Sequence, residues 1–507
     1  MMLRFDPPAI QNETLINPGA EIARNADRLD DKPAMIVAGQ TVSWRDFGAM
    51  VAQVAGKLHS LGIGRGGFVA LLGENSLENV VAFCGILSVG ACVVPLPFSA
   101  TSEALERMVA DSGAKLLLAT PAYRATADTL GAERVEDLSR LLDWASDVSP
   151  MDPAHVQPDD LFNIIYSSGT TGLPKGILHD HRFRSRQLGR ITRFGLTGEA
   201  RMVISTPIYS NTTLFGLLPT VMLGGTLILM PKFDTVEFLR LSQDYAATHA
   251  TLVPVQYMRL MAEPRFDEFD LSSYEMKFST SAPLHDGLIA QLMDRWPGNI
   301  VELYGMTEGG ISAALNCAAF PDKWHTVGRP GEGVDMRVID EDGRELPPGG
   351  FGEIVGRAPS MMPAYHNLDD KTRDILWQSP EGLQFIRSGD MGRIDEDGFI
   401  QLMDRKKDMI LSGGFNIYAA DLEAVLRQHP SVSDTAVIAI PSDAWGETPL
   451  GIVVLANGAT DTAEDICTWA NAQLGKTQRL SRVVLRNDLP RSEIGKVLKK
   501  DLREEYA

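Results

Sequence analysis

A short segment concentrates the groups that bind a polyphosphate. Residues 166–176 read YSSGTTGLPKG and follow the apolar, strand-like run DLFNIIY. Glycines let backbone N–H groups crowd around an anion, hydroxyl side chains add donors, and a lysine adds a point charge. The segment predicts a triphosphate site but not a Walker A loop, because Gly172 and Lys175 have the wrong spacing and Gly176 replaces the metal-binding hydroxyl residue. The candidate ligands are Ser167, Ser168, Gly169, Thr170, Thr171, Gly172 and Lys175.

Further segments carry residues suited to nucleotide chemistry. Thr307 and Glu308 lie in YGMTEGG, a glycine-flanked turn where a carboxylate can hold Mg²⁺ that bridges phosphate oxygens. Asp390, expected between glycine-rich turns, can accept both hydroxyls of a ribose, and Arg405 can join it as a charged donor. Lys496 lies in a basic tail, and the residues alone leave open whether it is catalytic or a solvated lysine.

The elements that position these residues alternate in type. Over the first 400 residues, apolar runs such as FVALLGE, ACVVPL, NIIYSS and TLILM alternate with helical patterns such as WRDFGAMVAQVAGKLHSLG, which favours layered α/β structure. From about Val334, turn signals such as EDG and PPGG predict a β-rich unit. The segment after Asp404 predicts a small α+β domain. We therefore expect an α/β fold with a large domain, residues 1–404, containing layered α/β subdomains and a β-rich subdomain, and a small mobile domain, residues 405–507.

Length and charge limit the classes of function. The chain has 507 residues, enough for about three domain-sized units, and a formal net charge of −19. A net acid repels nucleic acid unless a local basic patch intervenes. Two apolar stretches, 80–98 and 214–231, are broken by Gly and Pro, so each predicts a buried helix, a glycine stop and a short core strand instead of a membrane span. No signal peptide is visible, and we expect a cytoplasmic protein, with the oligomeric state open between monomer and homodimer.

The motifs together resemble those of the acyl-adenylate-forming superfamily, which includes acyl-CoA synthetases, adenylation domains of peptide synthetases and firefly luciferase. The resemblance covers nearly the whole chain, with six motifs in the family's order. They are YSSGTTGLPKG (166–176), YGMTE (304–308), SGD (388–390), DRKKD (404–408), SGGFNI (412–417) and PRSEIGK (490–496).

The resemblance implies a two-step reaction and assigns residues to it. A carboxylate attacks the α-phosphate of ATP with the help of Mg²⁺ and releases pyrophosphate, and a thiol then takes the acyl group from the adenylate. Lys496 becomes the catalytic lysine of adenylation, Asp390 and Arg405 hold the ribose, and Tyr304 and Gly305 border the adenine. Asp404 and Lys407 mark a hinge about which the small domain rotates, and this rotation moves the turn that starts with Ser412, Gly413 and Gly414 towards the thiol channel.

The acid and its acceptor are narrowed by further residues. Amino-acid-activating relatives place an Asp in the segment that here reads PIYSNTTLFG (207–216), and this chain has no acid there, so a substrate ammonium would be left unpaired. Many acyl-CoA ligases have a His where Ser210 stands, so this chain departs from them at one position of the expected pocket. The mixed lining suits a medium-chain fatty acid or an aromatic acid resembling benzoate or cinnamate. The acyl-pocket candidates are Tyr209, Ser210, Asn211, Thr212, Phe215, Gly216, Ser281, Ala282 and Leu303.

Coenzyme A is the expected acceptor, so the predicted enzyme is an ATP- and Mg²⁺-dependent, AMP-forming acid–CoA ligase. The alternatives are a stand-alone enzyme that loads a carrier protein or stops at the adenylate, a luciferase-like oxygenase, and a non-catalytic protein that binds nucleotide or acyl-CoA.

A histidine- and arginine-rich segment follows the glycine-rich motif. His179 and His181 lack a third ligand nearby, so zinc is not expected, and packing or substrate lining is the better interpretation of His181. The arginine run that follows is expected to be a solvated helix face, with contact to the phosphates of coenzyme A as the alternative. Its members are Arg182, Arg184, Arg186, Arg190 and Arg193.

Overall fold

The computed structural model describes residues 4–9, 14–168, 174–405, 408–412, 415–442, 445–475, 478–492 and 495–506. Contacts divide the chain into two compact units. Unit 1 comprises residues 1–335 and 356–386, and unit 2 comprises residues 336–355 and 387–507. This division differs from the predicted domains 1–404 and 405–507, which stay a prediction.

Two sheets organise unit 1. The first contains β1 (Pro33–Val37), β2 (Gln40–Ser43), β9 (Arg201–Ile204), β10 (Thr226–Leu229), β11 (His249–Leu252), β12 (Met276–Ser279), β13 (Asn299–Gly305), β14 (Ser312–Asn316) and β15 (Arg329–Pro330). The second contains β3 (Phe68–Leu72), β4 (Cys92–Pro95), β5 (Leu116–Ala119), β6 (Arg134–Asp137), β7 (Leu161–Ser168) and β8 (Pro174–Asp180).

The strand orders are those of crossover α/β sheets. The first runs β15-β14-β13-β12-β11-β9-β10-β1-β2 and the second β6-β5-β3-β4-β7-β8. Central strands such as β4, β5 and β10 are buried along their whole length, as parallel strands covered on both faces must be. Only the edge pairs β1–β2, β13–β14, β14–β15 and β7–β8 are antiparallel among these two sheets' described pairings.

Fifteen α-helices are described, most of them between the strands of unit 1. They are α1 (Pro18–Leu29), α2 (Trp44–Ser60), α3 (Leu77–Ser88), α4 (Ser102–Ser112), α5 (Arg124–Ala127), α6 (Leu141–Ala145), α7 (His181–Ile191), α8 (Asn211–Leu223), α9 (Thr235–Asp244), α10 (Pro254–Ala262), α11 (Asp286–Arg295), α12 (Asp369–Asp374), α13 (Ala419–Arg427), α14 (Ala463–Gln473) and α15 (Lys499–Tyr506).

The two apolar stretches fold as predicted. The first is α3 followed by Gly90, in the left-handed region at φ +80°, and then β4. The second is α8, a C-cap at Gly224 with φ +83°, and then β10. Both helices pack into the main core of unit 1. No helix in the described ranges is long and apolar enough to cross a membrane.

The β-rich segment forms a third sheet, which the boundary between the units crosses. Its strands are β16 (Asp335–Ile339), β17 (Gly352–Arg357), β18 (Leu376–Gln378), β19 (Gln384–Ile394) and β20 (Ile400–Arg405). They run β16-β17-β19-β18, with β20 paired to β19.

A fourth sheet lies in unit 2 and matches the α+β domain predicted after Asp404. It contains β21 (Ile410–Ser412), β22 (Phe415–Ile417), β23 (Val432–Ser442), β24 (Gly446–Leu455) and β25 (Arg482–Arg486), in the order β22-β21-β24-β23 with β25 paired to β24. Helices α13 and α14 pack on it around a separate apolar core. The mixed α/β class predicted from the sequence is confirmed.

Candidate active site

The glycine-rich motif begins and ends on an antiparallel hairpin. Strands β7 and β8 pair Tyr166 with Gly176 and Ser167 with Lys175, so the hydroxyl and the lysine stand opposite each other. A Cβ on Gly176 would lie 3.0 Å from Ile164 and 3.1 Å from Tyr166, so a larger residue there would have to displace these side chains by a few tenths of an ångström. The predicted ligands Gly169, Thr170, Thr171 and Gly172 lie outside the described residues, as does the side chain of Ser168.

Glu308 is held by a tyrosine that the sequence did not single out. Tyr365 Oη donates to Glu308 Oε1 at 2.7 Å, and Lys175 Nζ lies 5.3 Å from the centroid of the Tyr365 ring. Burial, and then the Glu308 charge, raises the pKa of Tyr365, so the phenol keeps its proton and remains a donor. Lys175 and Glu308, which come from separate motifs, therefore contact the same aromatic side chain, Lys175 over its ring and Glu308 at its hydroxyl.

The turn that carries Glu308 is fixed by its two glycines. Gly309 and Gly310 have φ values of +72° and +74°, and a Cβ on Gly309 would lie 2.1 Å from the Ser360 carbonyl oxygen. Gly310 N–H donates to that same oxygen at 2.8 Å, and Met362 N–H donates to the Glu308 carbonyl at 2.8 Å. Backbone contact with residues 360–362 thus sets the position of the Glu308 carboxylate.

A buried network lies behind this turn. His179 donates from Nε2 to the Thr307 carbonyl oxygen at 2.7 Å, because a carbonyl only accepts. His179 Nδ1 must then accept, and Arg184 Nη2 donates to it at 2.8 Å. Burial, and then the Arg184 charge, holds the pKa of His179 well below its usual value, so the imidazole is neutral.

The expectation of a solvated arginine face is wrong for two members of the run. Arg184 is 0% exposed and Arg186 is 7% exposed, since the first turns of α7 pack against the β7–β8 hairpin and neighbouring segments. Arg184 Nε donates to Asn163 Oδ1 at 2.9 Å, and Arg186 Nη1 donates to the Pro359 carbonyl at 2.8 Å. The neighbouring His181 is 1% exposed, with its ring 5.1 Å from that of Phe162, which agrees with the packing interpretation.

The acyl-pocket candidates fall around the start of α8. Ser210 caps this helix by accepting from Thr212 N–H at 3.2 Å, and Thr212 Oγ1 lies 2.8 Å from Ser281 Oγ. Two aromatic candidates pack edge-on against other rings: the ring centroids of Tyr209 and Phe98 are 5.2 Å apart, and those of Phe215 and Phe278 are 5.8 Å apart. The candidates Asn211, Ala282 and Leu303 are half-buried. A Cβ on Gly216 would lie 2.7 Å from Thr251, so this glycine allows α8 to pack closely on the sheet.

The loop that carries Ser281 is strained and anchored. Ser281 has φ +79°, a conformation that costs a non-glycine residue of order 1–3 kcal/mol and that persists where the surroundings impose it. Glu302 Oε1 accepts from Leu284 N–H at 2.9 Å and fixes the end of this loop. Burial raises the pKa of Glu302 to about 8.

The two candidates for ribose binding, Asp390 and Arg405, lie opposite each other on neighbouring strands of unit 2. Asp390 and Arg405 are Cα partners across β19 and β20, and Asp390 is 7% exposed. The expectation that Asp390 lies between turns is wrong, because it lies inside the eleven-residue strand β19, which continues through Gly389 at φ +70°. The side chains of Asp404 and Arg405 lie outside the described atoms, and Lys407 lies outside the described residues.

Lys496 is exposed, and hydrogen bonds join it and its neighbour Gly495 to residues 491 and 492. The Lys496 N–H donates to Ser492 Oγ at 3.2 Å, and Arg491 Nη1 donates to the Gly495 carbonyl at 2.7 Å. In the predicted thiol-channel motif, Ser412 pairs with Phe415 and also with Gly446, whereas Gly413 and Gly414 lie outside the described residues.

Comparison with known proteins places this geometry in a family. The family described as AMP-binding enzyme matches residues 22–366, and its C-terminal domain matches residues 421–496. The chain belongs to the AMP-binding enzyme family. In this member of the family, the Tyr365 hydroxyl donates to Glu308 and Lys175 lies over the Tyr365 ring.

Proteins similar to this chain include named CoA ligases. The chain is 32% identical to feruloyl-CoA synthase of an Amycolatopsis species over 475 residues, which covers 92% of this chain and 94% of that protein. It is 32% identical to 4-coumarate–CoA ligase 1 of Petroselinum crispum, and the match covers 95% of this chain and 93% of that protein. Among solved structures, ATP-bound MatB from Rhodopseudomonas palustris is 30% identical, covers 97% of this chain and 99% of its own, and superposes with a TM-score of 0.86.

Proposed function

We propose that the protein is an ATP-dependent, AMP-forming carboxylic acid–CoA ligase. In the first step a substrate carboxylate oxygen bonds to the α-phosphorus of ATP, the bond to the bridging oxygen breaks, and pyrophosphate leaves. In the second step the sulfur of coenzyme A bonds to the acyl carbon, AMP leaves, and the thiol proton is released.

The observation that carries this proposal is the arrangement of Glu308, Tyr365 and Lys175. The Glu308 carboxylate accepts a hydrogen bond of 2.7 Å from the Tyr365 hydroxyl, and the Lys175 ammonium lies 5.3 Å from the centroid of the same ring. A polyphosphate needs both, since the cation neutralises phosphate oxygens and the carboxylate holds the counterion.

The chemistry of the carboxylate fits Mg²⁺. Among the described residues, no group of three or more His, Cys, Asp and Glu side chains could hold a metal ion. Mg²⁺ in nucleotide sites usually takes one or two carboxylates and fills its other positions with phosphates and water, and Glu308 supplies such a carboxylate. When bound, the ion neutralises charge on the phosphates, and Tyr365 keeps Glu308 oriented towards it.

The remaining residues have positioning and electrostatic roles. Ser167 and residues 168–172, with Lys175, bind the phosphates, Thr307 borders the α-phosphate, and Tyr304 and Gly305 border the adenine. Asp390 and Arg405 bind the ribose. Lys496 stabilises the charge that develops at the α-phosphate during adenylation, where little covalent help from the protein is required.

The second step requires another arrangement of the chain. We infer that the segment around Asp404 and Lys407 acts as a hinge, that Lys496 leaves the site after adenylation, and that the Ser412–Gly414 turn then borders the thiol. This exchange separates two reactions that need different groups at one acyl carbon.

The substrate class follows from the lining near α8. Phe215 and Leu303 supply apolar surface, and Asn211, Thr212 and Ser281 supply polar groups, which suits an aromatic or medium-chain acid. Because the segment 207–216 has no carboxylate, an amino acid would leave its ammonium unpaired. We place this activity in the cytoplasm.

The test is pyrophosphate release from the full chain with ATP and Mg²⁺ across fatty, benzoic and cinnamic acids, with and without coenzyme A. We expect at least one acid to release pyrophosphate, and AMP and acyl-CoA to form together when coenzyme A is present. Absence of pyrophosphate with every acid would refute the proposal. Pyrophosphate without a thioester would refute the choice of coenzyme A as acceptor.

A further inference from the structure

Arg184 is a buried cation without a carboxylate partner. Its side chain is 0% exposed, and within the described ranges its hydrogen-bond partners are His179, Asn163, Gln187 and Asn211. Its guanidinium also lies over the rings of Phe162 and Phe183, with centroid distances of 5.7 and 5.5 Å. All four hydrogen-bond partners are neutral acceptors. Three are side-chain amides, and His179 is deprotonated because burial, and then the Arg184 charge, holds its pKa well below the usual value. A buried charge is normally paired, so a guanidinium that meets only neutral groups is an exception that calls for a functional reason.

The Arg184 contact fixes the side-chain amide of Asn211. Arg184 Nη1 lies 2.9 Å from Asn211 Oδ1, and a guanidinium can only donate, so the amide oxygen must face inwards. Asn211 Nδ2 therefore points away from the cation. Asn211 is half-buried at the first position of α8, and no acceptor for Nδ2 is found among the described residues.

The environment strengthens this amide as a donor. Donation from a buried cation to Oδ1 polarises the amide and makes its N–H groups stronger donors. The neighbouring hydroxyls of Thr212 and Ser281 are 2.8 Å apart and bond to each other. The Asn211 amide is thus held in one orientation at the start of α8, about one helical turn from Phe215, an apolar candidate for the proposed acyl pocket.

We propose that Arg184 and Asn211 form a specificity-determining pair that selects acids with an oxygen acceptor away from the reacting carboxylate. The acceptor is a hydroxyl or a second carboxylate that binds Asn211 Nδ2, and Arg184 positions the amide without touching the substrate. This inference rests on the proposed ligase function. It explains why the buried cation lacks an internal anion, since a carboxylate in the place of Asn211 would repel the substrate oxygen.

The first experiment measures kcat/KM for pyrophosphate release with pairs of acids that differ in one polar group. The pairs are 4-hydroxybenzoate with benzoate, 4-hydroxycinnamate with cinnamate, and adipate with hexanoate. We expect at least one oxygen-bearing acid to exceed its partner by about tenfold or more, because a site built to bind an oxygen rejects the analogue that lacks it. Asn211→Ala should reduce that ratio to near unity.

Two charge variants separate specificity from a structural role. Asn211→Asp gives Arg184 a carboxylate partner and removes the outward donor, so the melting temperature should stay the same or rise while the oxygen preference is lost or inverted. Gln187→Glu is the matched control, since Gln187 Oε1 lies 2.6 Å from the same Arg184 Nη1. It should pair the cation equally and keep the preference.

The possible outcomes are distinct. Pyrophosphate release without oxygen preference in the unaltered protein would overturn this inference and leave the proposed function standing, whereas no release with any acid would refute the proposed function. A preference that survives Asn211→Asp would also overturn the inference. Loss of preference in Gln187→Glu would overturn the assignment to the Asn211 donor, because that variant leaves the donor in place.

Discussion

Replacing Tyr365 by phenylalanine removes the hydroxyl that holds Glu308 and leaves the rest of the contact intact. The ring over which Lys175 lies is retained, and so is the bond from Tyr365 N–H to Thr372 Oγ1 at 3.1 Å. The lost bond joins a neutral donor to a charged acceptor at 2.7 Å. Such bonds contribute about 1.5–3 kcal/mol.

That free energy sets the expected magnitude. At about 1.4 kcal/mol per factor of ten, the Mg²⁺ concentration for half-maximal pyrophosphate release should rise roughly ten- to a hundredfold if the bond serves to orient the carboxylate. The assay is a Mg²⁺ titration of pyrophosphate release at saturating ATP and acid. The KM for the acid should change much less than the Mg²⁺ requirement.

A matched tyrosine provides the control. Tyr274 is 4% exposed, and its hydroxyl lies 2.8 Å from Ser242 Oγ, away from Glu308. Tyr274→Phe should lower the melting temperature without changing the Mg²⁺ titration. If Tyr365→Phe behaves in the same way as Tyr274→Phe, the hydroxyl is structural and the reasoning about Glu308 is refuted.

Three other perturbations test separate parts of the structure. Gly309→Ala should abolish pyrophosphate release and destabilise unit 1, because its Cβ would lie 2.1 Å from Ser360 O, whereas Gly131→Ala, at φ +81° with open space, should cost only about 1–2 kcal/mol in thermal unfolding; equal effects would contradict the steric argument. Glu302→Gln should gain stability relative to the unaltered protein as the pH rises. A carboxyl whose folded pKa is raised to about 8 stabilises the fold below its unfolded pKa of about 4.3 and loses that contribution as the pH rises to 8, by up to about 1.4 kcal/mol per pH unit. Melting temperatures of both proteins from pH 5 to 8 check this, and a constant difference would show that Glu302 is not protonated in the fold. Lys496→Ala should reduce adenylate formation by about 100-fold or more but spare thioester formation from a supplied adenylate, and equal loss in both half-reactions would contradict its assigned role.

Local elements were predictable from the sequence because their signals are local. The apolar run ACVVPL contains β4, and the pattern from Trp44 to Gly62 contains α2, capped by Ser43. The β-rich segment and the α+β tail also follow from turn residues and periodicity. The prediction that Asp390 lies between turns is wrong because a neighbouring glycine usually indicates a turn, whereas β19 contains Gly389 within a continuous strand.

The candidate site was predictable only where one motif carries it. Glu308 and Lys175 each stand in a recognisable segment, but their link through Tyr365 joins positions far apart in the chain. The sequence predicts a solvated Arg184, because a charge on a helix usually faces water. Its partners Asn163 and Asn211 come from β7 and α8, and no spacing in the sequence predicts that these strands and helices meet around one guanidinium.

Both compact units are discontinuous in sequence, and this affects the order in which the chain can fold during synthesis. Unit 1 needs residues 356–386, which are made after the first segment of unit 2, residues 336–355. The first segment of unit 2 cannot complete its packing until the rest of that unit has been made. One later partner is Tyr418, whose ring centroid lies 5.1 Å from that of Phe351. At roughly 5–20 residues per second, the residues after 355 take on the order of ten to thirty seconds to translate. Strands β16 and β17 pair with each other, but β17 lacks its other neighbour until β19 (Gln384–Ile394) has been made, and Phe351 lacks Tyr418 for longer still. The nascent chain therefore has an exposed edge of a β-sheet that a ribosome-associated chaperone would be expected to cover.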